Sequence, residues 1–125
     1  MARVLVVEDE AHIRELIQLH LGLEGLDIEA VGDGQEALAR ANTEPFDLII
    51  LDLHMPRLDG FEAIRAIRAD ANLAHIPVMA LTASAMMGDR EIALSSGFTA
   101  YLAKPIPLAS LRQEVSRLVQ GSHVR

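Results

Sequence analysis

Short apolar runs bounded by turn residues alternate along this chain with segments in which apolar residues recur at helical spacing. The runs predict five buried strands, at residues 4–7, 28–31, 48–51, 78–81 and 100–103. Between and after them, apolar residues three or four positions apart predict five helices, as in the third, with Phe61, Ile64, Ile67 and Ala71. Strands that alternate with helices form βαβ units, so the pattern predicts an α/β fold with a parallel sheet.

Glycine and proline set the expected limits of the helices. The first should stop at Gly22 and Gly25, the second before Pro45 and the fourth near Gly97. A closing amphipathic helix is expected up to residue 120, followed by a frayed polar tail over residues 121–125. We find no internal repeat or linker, so a single domain over residues 1–120 is predicted.

Composition narrows the range of functions. Half of the 125 residues are hydrophobic, enough for one ordinary core, and the net charge of −7 argues against direct nucleic-acid binding. The absence of cysteine excludes disulfides and thiolate metal sites. No apolar stretch reaches the ~18 residues of a membrane helix, and the start lacks the apolar core of a signal peptide. We therefore expect a cytoplasmic protein that has protein partners and does not bind membranes.

Three charged residues lie where predicted strands end. Asp9 follows the first strand, Asp52 follows the third and Lys104 follows the fifth. The carboxyl ends of parallel strands converge on one crevice, so these side chains are expected to meet around a ligand. Two carboxylates need a cation to relieve their repulsion, and an amine beside them suits a phosphoryl oxygen. The combination indicates metal-assisted phosphoryl chemistry.

Four motifs at strand ends, in this order, resemble the receiver domain of two-component response regulators, the CheY-like domain. They are Val6-Val7-Glu8-Asp9, Asp52 within residues 51–56, Thr82-Ala83 and Lys104-Pro105. The resemblance covers essentially the whole chain. It implies a flavodoxin-like (βα)5 doubly wound parallel sheet with strand order 2-1-3-4-5 and an active crevice between strands one and three.

The resemblance also implies a phospho-acceptor and a metal site. Asp52 would take a phosphoryl group from a histidine kinase or a histidine phosphotransfer protein. Asp9, Asp52 and the backbone carbonyl of His54 would bind Mg²⁺ or Mn²⁺, and Glu8 would bind the metal through a water molecule. Family members often have Asp where this chain has Glu8. The His54 side chain would overhang the phosphorylation site and affect water access, unless it is an ordinary exposed loop histidine.

Two further roles follow from the same resemblance. Thr82 and Lys104 would hold the oxygens of the transferred phosphoryl group. Thr82 and Tyr101 would form a switch that changes the surface of the fourth helix, fifth strand and fifth helix for a downstream partner. The chain would be a monomer, or a weak homodimer through that surface, and the Lys104–Pro105 peptide bond would be cis.

Structural alternatives exist for several of these residues. Glu8, Asp9 and Glu10 precede a helix and could act as caps, although three consecutive acids exceed what a cap requires. Tyr101 could be ordinary half-buried packing. Thr82 and Lys104 would be unremarkable in isolation, and only their places at strand ends single them out.

Other functional classes remain open at this point. On the receiver interpretation, the protein is a signalling switch that assists its own phosphorylation and dephosphorylation and is not a conventional enzyme. It would be either a stand-alone protein or a module excised from a hybrid kinase or larger regulator. A Mg²⁺-dependent phosphatase of the haloacid dehalogenase type also has an Asp nucleophile but needs a second acid where this chain has His54. A flavodoxin-like FMN binder needs a hydroxyl- and glycine-rich loop where this chain has three acids. A non-phosphorylated receiver is disfavoured by the complete set of Asp9, Asp52, Thr82 and Lys104.

Overall fold

Parallel strands and helices alternate through the computed structural model of the protein, which describes residues 2–53, 59–82 and 89–123. Within those ranges the elements are β1 (Arg3–Val7), α1 (Ala11–Gly22), β2 (Asp27–Val31), α2 (Gly34–Thr43), β3 (Leu48–Asp52), α3 (Gly60–Ala69), β4 (Val78–Thr82), α4 (Asp89–Ser95), β5 (Ala100–Ala103) and α5 (Leu108–His123). None of the helices in these ranges is both long and apolar enough to cross a membrane.

The five strands form one parallel sheet in the order β2-β1-β3-β4-β5. The predicted flavodoxin-like topology is therefore confirmed. Val7 pairs with Leu51 and Thr82 pairs with Ala103, so the strands end at nearly the same level. All five carboxyl ends consequently share one edge of the sheet, and the strand order reverses between β1 and β3.

Helices cover both faces of the sheet, which explains the continuous apolar runs in the sequence. Every residue of β3 and β4 is buried, because a central parallel strand has no face open to solvent. Alternate side chains enter two separate clusters. Under α2, α3 and α4 lie Leu5, Val7, Ile49, Leu51, Val78 and Ala80. Under α1 and α5 lie Val4, Val6, Leu48, Ile50, Met79 and Leu81.

Two helix ends differ from the sequence prediction. The third helix stops at Ala69, with Asp70 as its C-cap, so Ala71 lies outside it and is exposed. The fifth helix continues to His123, so the prediction of a frayed tail from Gly121 is wrong for residues 121–123. A single glycine lowers helix stability by about 1 kcal/mol and does not by itself end a helix.

Arg3 ties together segments at the amino-terminal edge of the sheet. Its guanidinium lies 3.0 Å from Asp27, 2.9 Å from Glu44 and 3.5 Å from Glu29. It also lies over the ring of Phe46, 4.7 Å from the centroid. The start of β1 is thereby joined to β2 and to the segment that precedes β3.

Arg68 makes a second set of ties at the same edge. Its guanidinium donates to the backbone oxygens of Ile76 at 2.6 Å, Gly97 at 2.9 Å and Ala74 at 3.0 Å, and to the Thr99 hydroxyl at 3.4 Å. Gly97 has a φ of 114°, which a side chain would strain. The end of α3, the segment before β4 and the turn after α4 therefore share one anchor.

Candidate functional site

The carboxyl edge of the sheet brings together charged residues from three strands. The Glu8 backbone N–H donates to Val31 at 3.1 Å, which extends the β1–β2 pairing by one residue. Asp52 is the last residue of β3, and Lys104 follows β5 with its N–H donating to Thr82 at 2.7 Å. These side chains thus project from well-paired backbone rather than from free loops.

Lys104 joins two buried carboxylates in this crevice. Its Nζ lies 2.7 Å from Glu8 Oε1, 3.2 Å from Asp52 Oδ2 and 4.0 Å from Glu10 Oε1. Glu8 is 0% exposed and Asp52 2% exposed, whereas Asp9 is exposed. The structure therefore brings Asp52 and Lys104 together as the sequence predicts, and it adds Glu8 as the deeply buried acid.

Burial and charge shift the proton affinities of this cluster. Burial, with a further contribution from Asp52, raises the pKa of Glu8 to about 7, and Lys104 only partly opposes this. Burial alone would lower the pKa of Lys104, but the carboxylates of Glu8 and Asp52 outweigh it and the pKa is raised. The ammonium therefore stays charged at neutral pH, while Glu8 titrates in the physiological range.

The acids of the crevice suit a hard divalent cation. One carboxylate oxygen from each of Glu8, Asp9 and Asp52 lies within 4.8 Å of the others. Opposite ligands on an octahedral Mg²⁺ lie about 4 Å apart, so this spacing is close to that of a shared ion. A donor set of oxygens alone also favours Mg²⁺ or Mn²⁺ over softer metals. The residues present fit the predicted metal, and His54, predicted to add a carbonyl ligand, lies outside the described residues.

Capping does not account for the acids before α1. Glu10 occupies the N-cap position, yet its side chain accepts no capping hydrogen bond. Glu8 Oε2 instead accepts the Glu10 backbone N–H at 3.2 Å. One function of the Glu8 carboxylate is thus to shape the loop, while its other oxygen contacts Lys104.

Thr82 and Tyr101 lie on one face of neighbouring strands. Tyr101 pairs in register with Ala80 and packs, half-buried, against the cluster under α2, α3 and α4. Thr82 is two residues beyond Ala80 on the same face and is 1% exposed. The register partner of Thr82 is Ala103, so Thr82 and Tyr101 are diagonal neighbours on one face of β4 and β5. The nearby Lys104–Pro105 bond is cis, as expected from the resemblance.

Gly60 has no role in the sequence prediction, yet it lets α3 begin against the end of β3. A Cβ on Gly60 would lie 2.6 Å from the Leu53 Cα and 2.9 Å from the Asp52 backbone oxygen. Asp59 and Glu62 form a capping box around this first turn. The spacing Asp-x-x-Glu before an apolar stripe was the available signal. Gly60 therefore permits the close approach that defines the crevice wall beside Asp52.

Comparisons with known proteins agree with this geometry. A model of the response regulator receiver domain matches residues 4–116. The chain is 36% identical over 121 residues to the sensor protein EvgS of Escherichia coli K12, which covers 97% of this chain and 10% of that protein. It is 34% identical over 122 residues to the alkaline phosphatase synthesis transcriptional regulatory protein PhoP of Bacillus subtilis, covering 98% of this chain and 50% of that protein.

A solved structure supports the same relationship. The receiver domain of the sensor histidine kinase PA1611 from Pseudomonas aeruginosa has a magnesium ion coordinated in its active site cleft. It superposes with a TM-score of 0.87 at 38% identity, over 95% of this chain and 98% of that one. The chain spans about a tenth of EvgS and half of PhoP. From the match over residues 4–116 and these relatives, we conclude that the chain belongs to the family of response regulator receiver domains.

Proposed function

We propose that this chain is a phospho-acceptor switch in which Asp52 takes a phosphoryl group from a histidine side chain of a kinase or phosphotransfer protein. The observation that carries the proposal is the contact of one ammonium, Lys104 Nζ, with both Asp52 and Glu8, two buried carboxylates. A buried carboxylate beside a cation and a set of oxygen donors suits nucleophilic attack on phosphorus.

The transfer exchanges one bond to phosphorus for another. A carboxylate oxygen of Asp52 bonds to phosphorus while the bond from phosphorus to the histidine nitrogen breaks, and the imidazole keeps that electron pair. Lys104 then binds an oxygen of the transferred group, and the Thr82 hydroxyl donates to another. Both side chains are held on paired backbone, so little reorganisation is needed during the transfer.

Glu8, Asp9 and Asp52 are the residues that would hold Mg²⁺, and the His54 carbonyl is the further ligand that the family resemblance implies. When bound, the ion supplies positive charge that offsets the charge on the phosphoryl oxygens. The protein's own contribution is to hold the three acids close together and to bury two of them, Glu8 and Asp52.

Signal output is proposed to pass through Thr82 and Tyr101 to the surface of α4, β5 and α5. Thr82 moves toward the phosphoryl group, and Tyr101 rotates into the space it leaves. Their adjacency on β4 and β5 supports this coupling. A downstream protein, or a second copy in a weak dimer, then binds the altered surface. The protein acts as a cytoplasmic signalling switch rather than a turnover enzyme.

The proposal is tested by phosphorylation with a small donor. Incubation with Mg²⁺ and acetyl phosphate is expected to add one hydroxylamine-labile phosphoryl group, detected by intact mass, and Asp52→Asn should remove the adduct. The exposed Asp27 serves as a matched control, and Asp27→Asn should react like the parent. An unmodified parent protein, or an unchanged adduct on Asp52→Asn, would refute the assignment. A panel of histidine kinases then identifies the natural donor.

A further inference from the structure

Arg14 of α1 contacts the backbone of the loop formed by Glu8, Asp9 and Glu10, called here the acidic loop. Its Nη1 donates to the Glu8 backbone oxygen at 2.7 Å, and the side chain is half-buried. Long side chains on a helix point back toward its amino terminus, so Arg14 reaches the loop that precedes its own helix. The contact joins the metal-binding region to the first turn of α1.

Asp9 depends on this backbone for its direction. Its carboxylate is exposed, and no residue within 2–53, 59–82 or 89–123 forms a hydrogen bond or ion pair with it. Glu8 and Asp52, by contrast, are both held by Lys104. Among the described residues Asp9 has no side-chain partner, so the backbone of the loop directs its Cα–Cβ bond and thereby limits the space that its carboxylate can reach.

The local sequence of α1 is poorly suited to helix stability at this point. Arg14 places a cation near the amino terminus of the helix, where the helix dipole favours anions, and the first turn contains no acid. Glu10 gives no side-chain cap. Departures from local helix preferences are expected where a residue has a function outside the helix.

The guanidinium of Arg14 also lies close to Gly32. A Cβ on Gly32, in the turn after β2, would lie 3.5 Å from Arg14 Nη1. The guanidinium thus lies between that turn and the acidic loop. Gly32 has no side chain and so leaves room for the guanidinium at this place.

We propose that Arg14 is a positioning residue of the metal site. By holding the Glu8 carbonyl, it orients the following peptide and directs the Asp9 carboxylate toward a cation shared with Glu8 and Asp52. The inference rests on the proposed function, because it assumes that these three acids bind a divalent ion. Partners that orient metal ligands typically contribute 10- to 100-fold to metal affinity.

Positioning and simple charge make opposite predictions for Arg14. A cation near the site repels Mg²⁺, so removal of a purely electrostatic Arg14 would tighten metal binding. Removal of a positioning Arg14 weakens it, because the backbone that directs Asp9 toward the shared cation is no longer held in place. Arg14→Met removes the charge and every donor while keeping a long apolar stem, and Arg14→Lys keeps the charge with a less rigid donor.

The experiment measures Mg²⁺ affinity by calorimetry and Mn²⁺ affinity by electron paramagnetic resonance on the full chain. We expect Arg14→Met to bind either ion about tenfold more weakly than the parent, with Arg14→Lys between the two. Arg112 of α5, in the groove beside the far end of α1, is the matched control. Arg112→Met should bind within about twofold of the parent. Melting temperatures with EDTA report stability separately.

Each outcome bears on the inference. Unchanged or tighter binding by Arg14→Met overturns it, as does a lower melting temperature with an unchanged dissociation constant, since that pattern marks a merely structural contact. If Arg14→Met does not fold, equal affinities for Arg14→Lys and the parent overturn it instead. A parent protein that binds neither ion contradicts the proposed function itself, and the inference falls with it.

Discussion

Lys104 provides the positive charge between Glu8 and Asp52 when no divalent ion is bound. The two buried carboxylates both contact the Lys104 ammonium and would otherwise repel each other. Removal of that ammonium would leave their negative charge without compensation. A bound divalent cation offers the same compensation with more charge. Lys104 and a bound divalent ion would thus offset the charge of the same carboxylates.

Glu8 should make the stability of the metal-free protein depend on pH. Its pKa rises from 4.5 to about 7 on folding, so the folded protein binds this proton more tightly than the unfolded chain. The stabilisation from Glu8 is fully present below pH 4.5 and is lost as pH rises to about 7. It amounts to about 3 kcal/mol.

Urea unfolding with EDTA at pH 5 and pH 7.5 measures this effect. Glu8→Gln should lose less stability than the parent between the two pH values, whereas Glu15→Gln, a change at an exposed position of α1, should behave as the parent does. Equal pH dependence in the parent and Glu8→Gln would show that Glu8 is not the titrating group.

In the parent, Mg²⁺ affinity should rise across the same range, because the metal binds the carboxylate form.

The sequence pattern predicts which residues line the crevice but not how deeply each of them is buried. Asp52 and Lys104 were predictable because strand ends converge at one edge of a parallel sheet. Which of the consecutive acids Glu8 and Asp9 turns inward depends on loop geometry, and the apolar pattern contains no information about it. The contact of Arg14 with a backbone oxygen was invisible for the same reason.

At the scale of elements, the packing of α3 against the end of β3 depends on Gly60. We expect Gly60→Ala to destabilise the protein by about 2–3 kcal/mol, because the added methyl group would overlap backbone atoms of Asp52 and Leu53. The same change also displaces the end of β3, so acetyl phosphate should modify Asp52 more slowly. Urea unfolding and intact mass measure the two effects.

Gly22 gives the matched control for this substitution. It is the last residue of α1, and a Cβ there would meet nothing within 4 Å. Gly22→Ala should therefore raise stability by up to about 1 kcal/mol, since alanine favours the helix. A similar effect at both positions would show that backbone entropy, not the close approach at Gly60, controls the outcome.

The strands were predicted from apolar runs, and the structure extends several of them by one polar residue. Arg3 and Asp27 begin β1 and β2, and Asp52 and Thr82 end β3 and β4. Their backbone groups continue the ladder although their side chains break the apolar pattern. Two of the functional residues, Asp52 and Thr82, thus lie inside regular structure.

At the scale of the whole molecule, the most exposed large apolar side chains among the described residues lie on α1 and at its C-cap. Leu19 is 61% and Leu23 73% exposed, and Leu16 precedes them on the same helical face. The helix that carries these leucines begins directly after the acidic loop. We expect the histidine-bearing phosphodonor to contact it while its phosphohistidine reaches Asp52.

Leu19→Glu should accordingly slow phosphotransfer from a cognate histidine protein by about tenfold, by removing an apolar contact and adding charge. Phosphorylation by acetyl phosphate should stay unchanged, because the small donor needs no docking surface. Ile92→Glu on α4, another exposed apolar position, is the control and should not slow the transfer. Equal slowing with both donors would place the defect in the crevice instead.

Arg68 has a mechanical consequence for signalling. Its bonds to Gly97 and Thr99 fix the turn after α4 at the sheet edge opposite Asp52. Movement caused by phosphorylation should thus be a pivoting of α4, large near the crevice and vanishing toward Gly97. Hydrogen exchange should change on phosphorylation for the first turn of α4 but not for amides 96–99. In Arg68→Gln the change in hydrogen exchange should extend to amides 96–99. Helix α4 would then shift as a whole and would transmit less rotation to a bound partner.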